Sequence, residues 1–257
     1  MKEFFGFGGY TRPVEGYFSW QHLLFVTFLM VVMVTCAVVL GLRSRKQDLR
    51  QQNRVMIISA LLIDGFELFK IILLCFRCED PFQWLYELPL FLCSIQLITI
   101  PLAAFSKGRV KEASLDFVCI FGILGAVLGT YFAGNNYSCY PVLSFDNVVS
   151  GITHTISGFA SLYILISGMA SMKRSNMAIT YAIVIGFCVA AYTVNVLIDY
   201  NYMFLMGGDD TPYDIVFHLV GGSPVLYPIL VVVMFLLYIF LYYQIYYLLR
   251  KKKQPVA

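Results

Sequence analysis

Charged residues are scarce in this sequence: Asp, Glu, Lys and Arg make up only 13% of its 257 residues, whereas 60% are hydrophobic. A soluble domain of this length could not bury so much apolar surface in one core. The apolar residues also fall into runs of about 20, the length at which a helix crosses a hydrocarbon layer about 30 Å thick. The composition therefore excludes an ordinary soluble domain and predicts a polytopic membrane protein.

The sequence also lacks the short alternating segments of a β-barrel, internal repeats and the pattern of a cleavable signal peptide. Because lipid offers no partner for backbone N–H and C=O groups, we expect α-helices. We predict an all-α bundle with seven transmembrane helices, forming one membrane domain over residues 1–257 with an external N-terminal segment at about 1–18. The predicted spans are about 19–42, 55–76, 84–105, 115–133, 147–170, 177–198 and 223–249.

The basic residues are distributed unevenly between the two sides of these spans. Fourteen of the 18 lie on one side, in four groups: Arg43, Arg45, Lys46, Arg50 and Arg54; Lys107, Arg109 and Lys111; Lys173 and Arg174; Arg250, Lys251, Lys252 and Lys253. The positive-inside rule places this side in the cytoplasm, which puts the N-terminus outside and the C-terminus in the cytoplasm. The basic groups are thus topology signals, and we expect no nucleic-acid partner.

Two of the seven cysteines, Cys78 and Cys139, fall in predicted external connections. If that side is oxidising they are candidates for a disulfide. The distance between them cannot be read from the sequence, so bonded and free thiols both remain open.

Polar side chains inside the predicted spans are the main functional signal, because each costs about 2.5–3.5 kcal/mol at the centre of a membrane helix. Span two carries Asp64, Glu67 and Lys70 at positions i, i+3 and i+6. Glu67 and Lys70 are close enough to pair. A structural ion pair and a role in binding a ligand are both consistent with this spacing.

Spans three and five contribute a cysteine and a histidine. Cys93 and Gln96 share one face of span three with Pro89, and span five carries His154 within a stripe of small residues. A membrane cysteine is usually a packing residue. An intramembrane histidine is a general base, a metal ligand or a hydrogen-bonded packing residue, and the sequence spacing does not distinguish among these three roles.

The predicted candidate site combines polar residues from four helices. Span six ends with Asn195 and Asp199 and continues into Asn201 and Tyr202. We expect a polar cavity that opens toward the external leaflet. Its predicted substrate-binding residues are Glu67, Lys70, Gln96, Asn195, Asp199, Asn201 and Tyr202. By contrast, Gly125 and Gly129 in span four predict a helix-packing face.

Three segments resemble a known family: Leu-Pro-Leu-Phe-Leu-Cys-Ser-Ile at 88–95, the mid-span His154, and Asn-Tyr-Met-Phe-Leu at 201–205 followed by a Gly-rich stretch and Pro224. From about Arg54 to the C-terminus the chain resembles the YwaF-type integral membrane proteins, which are similar to the eukaryotic transmembrane protein 164 group. At the position of Phe91 many of these proteins carry histidine, so the chain departs there.

The resemblance implies an enzyme that transfers an acyl chain between phospholipids. Cys93 would be the acyl-accepting nucleophile and His154 its base. The implied partners are membrane phospholipid and lysophospholipid, without a cofactor or metal, and the implied location is a bacterial cell membrane. The alternative is a transporter or a membrane protein that binds a lipid or small molecule through its intramembrane charges. A retinal photoreceptor is disfavoured because span seven has no lysine for a Schiff base.

Overall fold

The computed structural model describes residues 2–209 and 211–251, and these residues form α-helices, two short 3₁₀ helices and connections, without a strand. The α-helices are α1 (Trp20–Ser44), α2 (Leu49–Arg77), α3 (Gln96–Phe105), α4 (Gly108–Tyr131), α5 (Gly134–Cys139), α6 (Phe145–Ser167), α7 (Arg174–Ile198), α8 (Tyr213–Leu219) and α9 (Leu226–Lys251). The 3₁₀ helices cover Gln83–Tyr86 and Tyr202–Phe204.

Several helix ends are set by local chemistry that is visible in the sequence. Ser19, Asp48 and Ser144 each accept a hydrogen bond from the backbone N–H three residues later, which caps α1, α2 and α6. Gly168 ends α6 in the left-handed conformation, with a φ of 84°. These signals explain why the long helices begin and end close to the predicted span limits.

Five helical segments are long and apolar enough to cross a membrane: α1, α6, α7, α9 and the segment Gly108–Cys139, which contains α4. Helix α2 has sufficient length, but Asp64, Glu67 and Lys70 interrupt its apolar run. The prediction of a continuous third span over 84–105 is wrong. Its first half consists of the 3₁₀ helix and turns, and only the ten residues of α3 are α-helical.

Helices α4 and α6 form the centre of the bundle. Helix α6 packs on α1, α2 and α4, while α4 also contacts α3 and α7, and α7 packs on α9. Two hydrophobic clusters meet at α4: Val118 belongs to the cluster with α2, α3 and α6, and Phe117 to the cluster with α7 and α9. Because neighbouring residues of α4 belong to different clusters, α4 joins the two parts of the hydrophobic core.

The N-terminal segment, residues 2–19, folds over one end of the bundle, which we call the cap end. Arg77 at the end of α2 makes two hydrogen bonds, of 2.7 and 2.9 Å, to the carboxylate of Asp146 at the start of α6. The Tyr10 hydroxyl donates to the same carboxylate at 2.5 Å. Burial, together with this hydrogen bond, raises the pKa of Tyr10 to about 12. The cap end is thus tied together by charge-assisted hydrogen bonds.

The opposite end of the bundle is held by the fully buried carboxylate of Asp116 on α4. It accepts hydrogen bonds from the backbone N–H of Met172 at 2.8 Å, from Asn176 Nδ2 at 2.8 Å, from the Ser171 hydroxyl and from the Tyr243 hydroxyl at 3.3 Å. These donors come from the connection after α6, from α7 and from α9. A buried carboxylate with this many donors is a structural joint between three helices.

All seven cysteines are free thiols in this structure. Cys78 and Cys139, the candidates for an external disulfide, are both exposed and are not bonded to each other.

Candidate functional site

Cys93 lies in the non-helical connection before α3, and not inside a regular helix as the sequence predicted. The connection ends in a helical turn, in which the N–H of Ile95 donates to the carbonyl of Phe91 at 3.1 Å. The backbone N–H groups of Cys93 and Ser94 lie near the Cys93 sulfur. Cys93 as a whole residue is partly exposed. The N-terminal side of a helix favours the thiolate form of a cysteine.

Tyr202 fixes this connection from the side of α7. Its hydroxyl donates to the carbonyl of Leu85 at 2.6 Å and accepts from the N–H of Leu88 at 3.1 Å. Tyr202 is itself held by Asn195, whose side chain bonds its backbone carbonyl at 3.0 Å and its N–H at 2.6 Å. Both residues are almost completely buried. They act as a clamp on the backbone that leads to Cys93.

A second attachment is ionic. The Lys70 ammonium of α2 lies 2.6 Å from a Glu67 carboxylate oxygen and 2.9 Å from a carboxylate oxygen of Glu87, at the end of the first 3₁₀ helix. The three side chains are between 12 and 24% exposed, so this charge triad is largely withdrawn from solvent. Two carboxylates and one ammonium leave it with one excess negative charge. The triad joins α2 to the connection that carries Cys93.

His154 on α6 is held in the orientation that a general base needs. Its Nδ1 lies 2.7 Å from the backbone carbonyl of Ser150. Because a carbonyl can only accept, Nδ1 carries the proton and donates, which leaves the lone pair of Nε2 free in the neutral ring. The carboxylate of Glu67 is near enough to act electrostatically on this ring.

Cys93 and His154 lie close enough for their side chains to interact. Their contact is looser than a regular hydrogen bond, since Nε2 is buried and has no partner of regular hydrogen-bond geometry among the described residues. Such contacts are often long in enzymes without bound substrate. The structure therefore brings the two predicted catalytic residues together from separate elements.

Two glycines of α4 make this approach possible. A Cβ atom built on Gly129 would lie 2.0 Å from Nε2 of His154, and one built on Gly125 would lie 3.2 Å from Cβ of Cys93. These positions, one helical turn apart, were predicted to be a packing face between helices. Helix α4 does pack closely on α6, and the two glycines form a groove in which the His154 imidazole lies against Gly129 and Cα and Cβ of Cys93 lie against Gly125.

The other predicted site residues differ in their surroundings. Glu67 and Lys70 form the charge triad with Glu87, and Gln96 follows Cys93 by one turn. The polar atoms of Asn195 and Tyr202 are used by the clamp. Asn201 bonds the backbone of its own connection, through Gly207 and Met206, and the Asp209 carboxylate. Asp199 is exposed at the C-terminal end of α7.

Three features of the site were not assigned by the sequence. Glu87 belongs to the charge triad, Gly125 and Gly129 shape the groove, and Tyr213 of α8 lies close enough to Cys93 to interact electrostatically. Glu87 could have been found from its acidic side chain in a predicted span. Tyr213 carried no signal, because it reaches Cys93 only through the fold of the connection after α7.

The predicted polar cavity does not coincide with two open surface depressions found elsewhere in the described residues. One, of about 620 Å³, is lined by Lys2, Phe5, Phe7 and Gly8, and the other, of about 300 Å³, is lined by residues of α1. Within residues 2–209 and 211–251 no group of three or more His, Cys, Asp or Glu side chains is arranged to hold a metal ion. The arrangement places a cysteine beside an imidazole.

Comparison with known proteins gives one finding. No curated protein and no solved structure matches the chain. A family model matches residues 17–243, a segment that contains Cys93, His154, the charge triad and the glycine groove, and on this match the chain belongs to the TMEM164 family.

Proposed function

We propose that this protein is a membrane-embedded lipid acyltransferase in which Cys93 carries the acyl chain and His154 moves the protons. The observation that carries the proposal is the orientation of His154. Its Nδ1 is fixed to the Ser150 carbonyl at 2.7 Å, and its remaining nitrogen is buried beside the Cys93 thiol. Nucleophile, base and a group that orients the base are the components of covalent acyl transfer.

In the first half of the reaction, Nε2 of His154 takes the thiol proton while the sulfur attacks the ester carbonyl of a phospholipid. A carbon–sulfur bond forms, the ester carbon–oxygen bond breaks, and the leaving lipid alkoxide receives the proton from the imidazolium. The products are a thioester on Cys93 and a lysophospholipid. The step needs no oxidant, reductant or metal.

In the second half, the hydroxyl of an acceptor lysophospholipid gives its proton to Nε2 and attacks the thioester carbonyl. The thiolate leaves and is reprotonated by the imidazolium, which regenerates the starting site. Donor and acceptor lipids are both present in the bilayer that surrounds a membrane bundle. We place the reaction at the outer leaflet of a cell membrane, in accordance with the predicted external position of the cap end.

The other side chains have supporting roles in this proposal. The excess negative charge of the triad favours the imidazolium that forms when His154 takes a proton. Since Lys70 is already bridged by Glu67 and Glu87, the triad positions the site better than it would bind an ionic cargo, which is why acyl transfer is preferred over transport. Phe91 takes no part, because its ring packs on Tyr202 and Phe204 at centroid distances of 5.0 and 5.9 Å.

The test is to incubate the purified protein with phospholipid labelled in its acyl chain and with an unlabelled lysophospholipid acceptor. We expect label on the Cys93 peptide, sensitive to hydroxylamine as a thioester is, and label in the newly formed phospholipid. Cys93→Ala should lose both products. His154→Gln should slow both steps by about 10²–10⁴-fold, the usual contribution of general acid–base catalysis.

Cys36→Ala is the matched control, because Cys36 is an exposed cysteine of α1 and does not belong to the site. It should transfer acyl chains at the wild-type rate. If the wild-type protein forms neither a thioester nor a labelled product, the acyltransferase proposal is wrong. Ligand binding by the charge triad would then be the function to examine.

A further inference from the structure

Buried polar atoms without a partner are unusual in folded proteins, and three of those in the described residues belong to His154 or to residues one helical turn along the chain from Cys93 and His154. The described chain has six such side-chain atoms, including Nε2 of Gln96, Nε2 of His154 and Oγ of Ser157. Gln96 lies three residues after Cys93, and Ser157 three residues after His154, so both are one helical turn from the pair. Buried donors and acceptors are almost always satisfied, and exceptions often mark a catalytic role.

Gln96 is the most informative of the three. It is completely buried, at 0% exposure, and it is the first residue of α3. The backbone N–H of Gln96 donates to the carbonyl of Cys93 at 3.3 Å, so the two residues lie on one face of the turn that leads into α3. The Thr99 hydroxyl donates to Oε1 of Gln96 at 3.1 Å, which leaves the NH₂ group as the unpartnered end.

The NH₂ group of Gln96 lacks an acceptor in the protein without substrate. An ester carbonyl bound at the Cys93 thiol would supply one. Attack by sulfur moves an electron pair onto the carbonyl oxygen, and that oxygen then carries a negative charge. The backbone N–H groups of Cys93 and Ser94, which are near the sulfur, can supply one side of its surroundings. The buried NH₂ group of Gln96 can supply another.

We infer that Gln96 is a further catalytic residue, whose Nε2–H group donates a hydrogen bond to the oxyanion formed when Cys93 adds to the acyl carbonyl. This inference depends on the acyl transfer proposed above. Gln96 transfers no proton: the oxyanion re-forms the carbonyl, the lipid alkoxide leaves, and its proton comes from His154. The same hydrogen bond assists the second half, in which the acceptor hydroxyl adds to the thioester.

The test compares two reactions of the Cys93 sulfur. Thioester formation from labelled phospholipid passes through an oxyanion, whereas alkylation by iodoacetamide displaces iodide and forms none. Both rates are followed on the Cys93 peptide by mass spectrometry in the full-length protein. For Gln96→Met we expect thioester formation to fall by about 10²–10³-fold, the usual effect of removing one oxyanion donor. The alkylation rate should stay within threefold of wild type.

Two further variants make the result specific. Gln96→Glu preserves the size of the side chain and removes the NH₂ donor, so it should behave like Gln96→Met and serves if the latter does not fold. Gln52→Met replaces another buried glutamine, which lies near the first turn of α2 and donates to the Ser44 carbonyl at 3.1 Å. It should form the thioester at the wild-type rate.

The outcomes separate this inference from the proposed function. If wild type forms a thioester and both Gln96 variants do so within threefold of its rate, Gln96 is not an oxyanion donor. If alkylation and thioester formation fall together, Gln96 acts on the thiol and the inference is also overturned. If wild type forms no thioester although Cys93 is alkylated, the acyltransferase proposal itself fails.

Discussion

Replacing Gly129 with alanine perturbs the site at a single methyl group. The added Cβ would lie 2.0 Å from Nε2 and 2.1 Å from Cδ2 of His154. Ordinary van der Waals contact begins at 3.4 Å, so the ring has to retreat by about 1.4 Å, the difference between the two distances. The imidazole is the mobile end of its side chain. We therefore expect it to move away from Cys93, at the expense of the hydrogen bond from Nδ1 to Ser150.

The size of the effect follows from two general magnitudes. Inserting a methyl group into a packed interior costs about 1–3 kcal/mol of folding free energy. A displacement of about 1 Å between reacting groups can reduce a rate by about 10²-fold. Gly129→Ala should therefore remain folded with a lowered melting temperature, while thioester formation on Cys93 falls by at least that factor.

The assay measures thermal unfolding and the rate of Cys93 acylation for a series of glycine-to-alanine variants. Gly125→Ala should have a smaller effect, because its Cβ would be 3.2 Å from Cβ of Cys93 and a shift of a few tenths of an ångström suffices. Gly186 on α7 is the matched control, since a Cβ there meets nothing within 4 Å. Alanine should stabilise that helix by about 0.5–1 kcal/mol. If Gly129→Ala acylates as fast as Gly186→Ala, the imidazole does not occupy the groove.

Two more predictions concern the attachments of the connection that carries Cys93. Lys70→Met leaves Glu67 and Glu87 close together without their cation and should lower the free energy of unfolding by about 3–5 kcal/mol, whereas adding Glu67→Gln and Glu87→Gln should restore most of it. Unchanged thermal unfolding of the single variant would contradict this. Tyr202→Phe removes the hydroxyl that bonds Leu85 and Leu88 and should lower the free energy of unfolding by about 1–3 kcal/mol. The measurement is denaturation, with Tyr192→Phe as the control, because Tyr192 is exposed and its substitution should be neutral. Equal stability of these two variants would show that the clamp is not required.

The long helices were predictable because each is an apolar run with polar or glycine boundaries. The span predicted at 177–198 corresponds to α7, Arg174–Ile198, and the span predicted at 223–249 corresponds to α9, Leu226–Lys251. The third span was not predictable in this way. Its local sequence is as apolar as the others, but Glu87 and Leu88 are held by Lys70 and Tyr202, which are distant in sequence. These long-range contacts, and not the local hydrophobic pattern, determine the conformation of this segment.

The pairing of Cys93 with His154 could be hypothesised from the sequence, although the sequence pattern does not determine it. The resemblance to a known family indicated these two residues, and the spacing of polar residues predicted that Glu67 and Lys70 lie on one face of α2. Their relative positions depend on where the turn before α3 breaks the helix, and no periodicity describes that break. The roles of Asn195 and Tyr202 were equally hidden. A buried polar side chain in a span signals a partner, but not whether the partner is substrate or backbone.

Gly125 and Gly129 show why one sequence signal has two physical meanings. Small residues four apart let another element approach a helix closely, and in membranes that element is usually a second helix. Here α6 does approach α4, but at Gly129 the space is filled by the imidazole of His154, and at Gly125 the neighbour is Cys93. The groove therefore sets the distance between base and nucleophile through the spacing of α4 and α6. It follows that a change in the packing of these two helices, even far from Cys93, should alter the reactivity of its thiol.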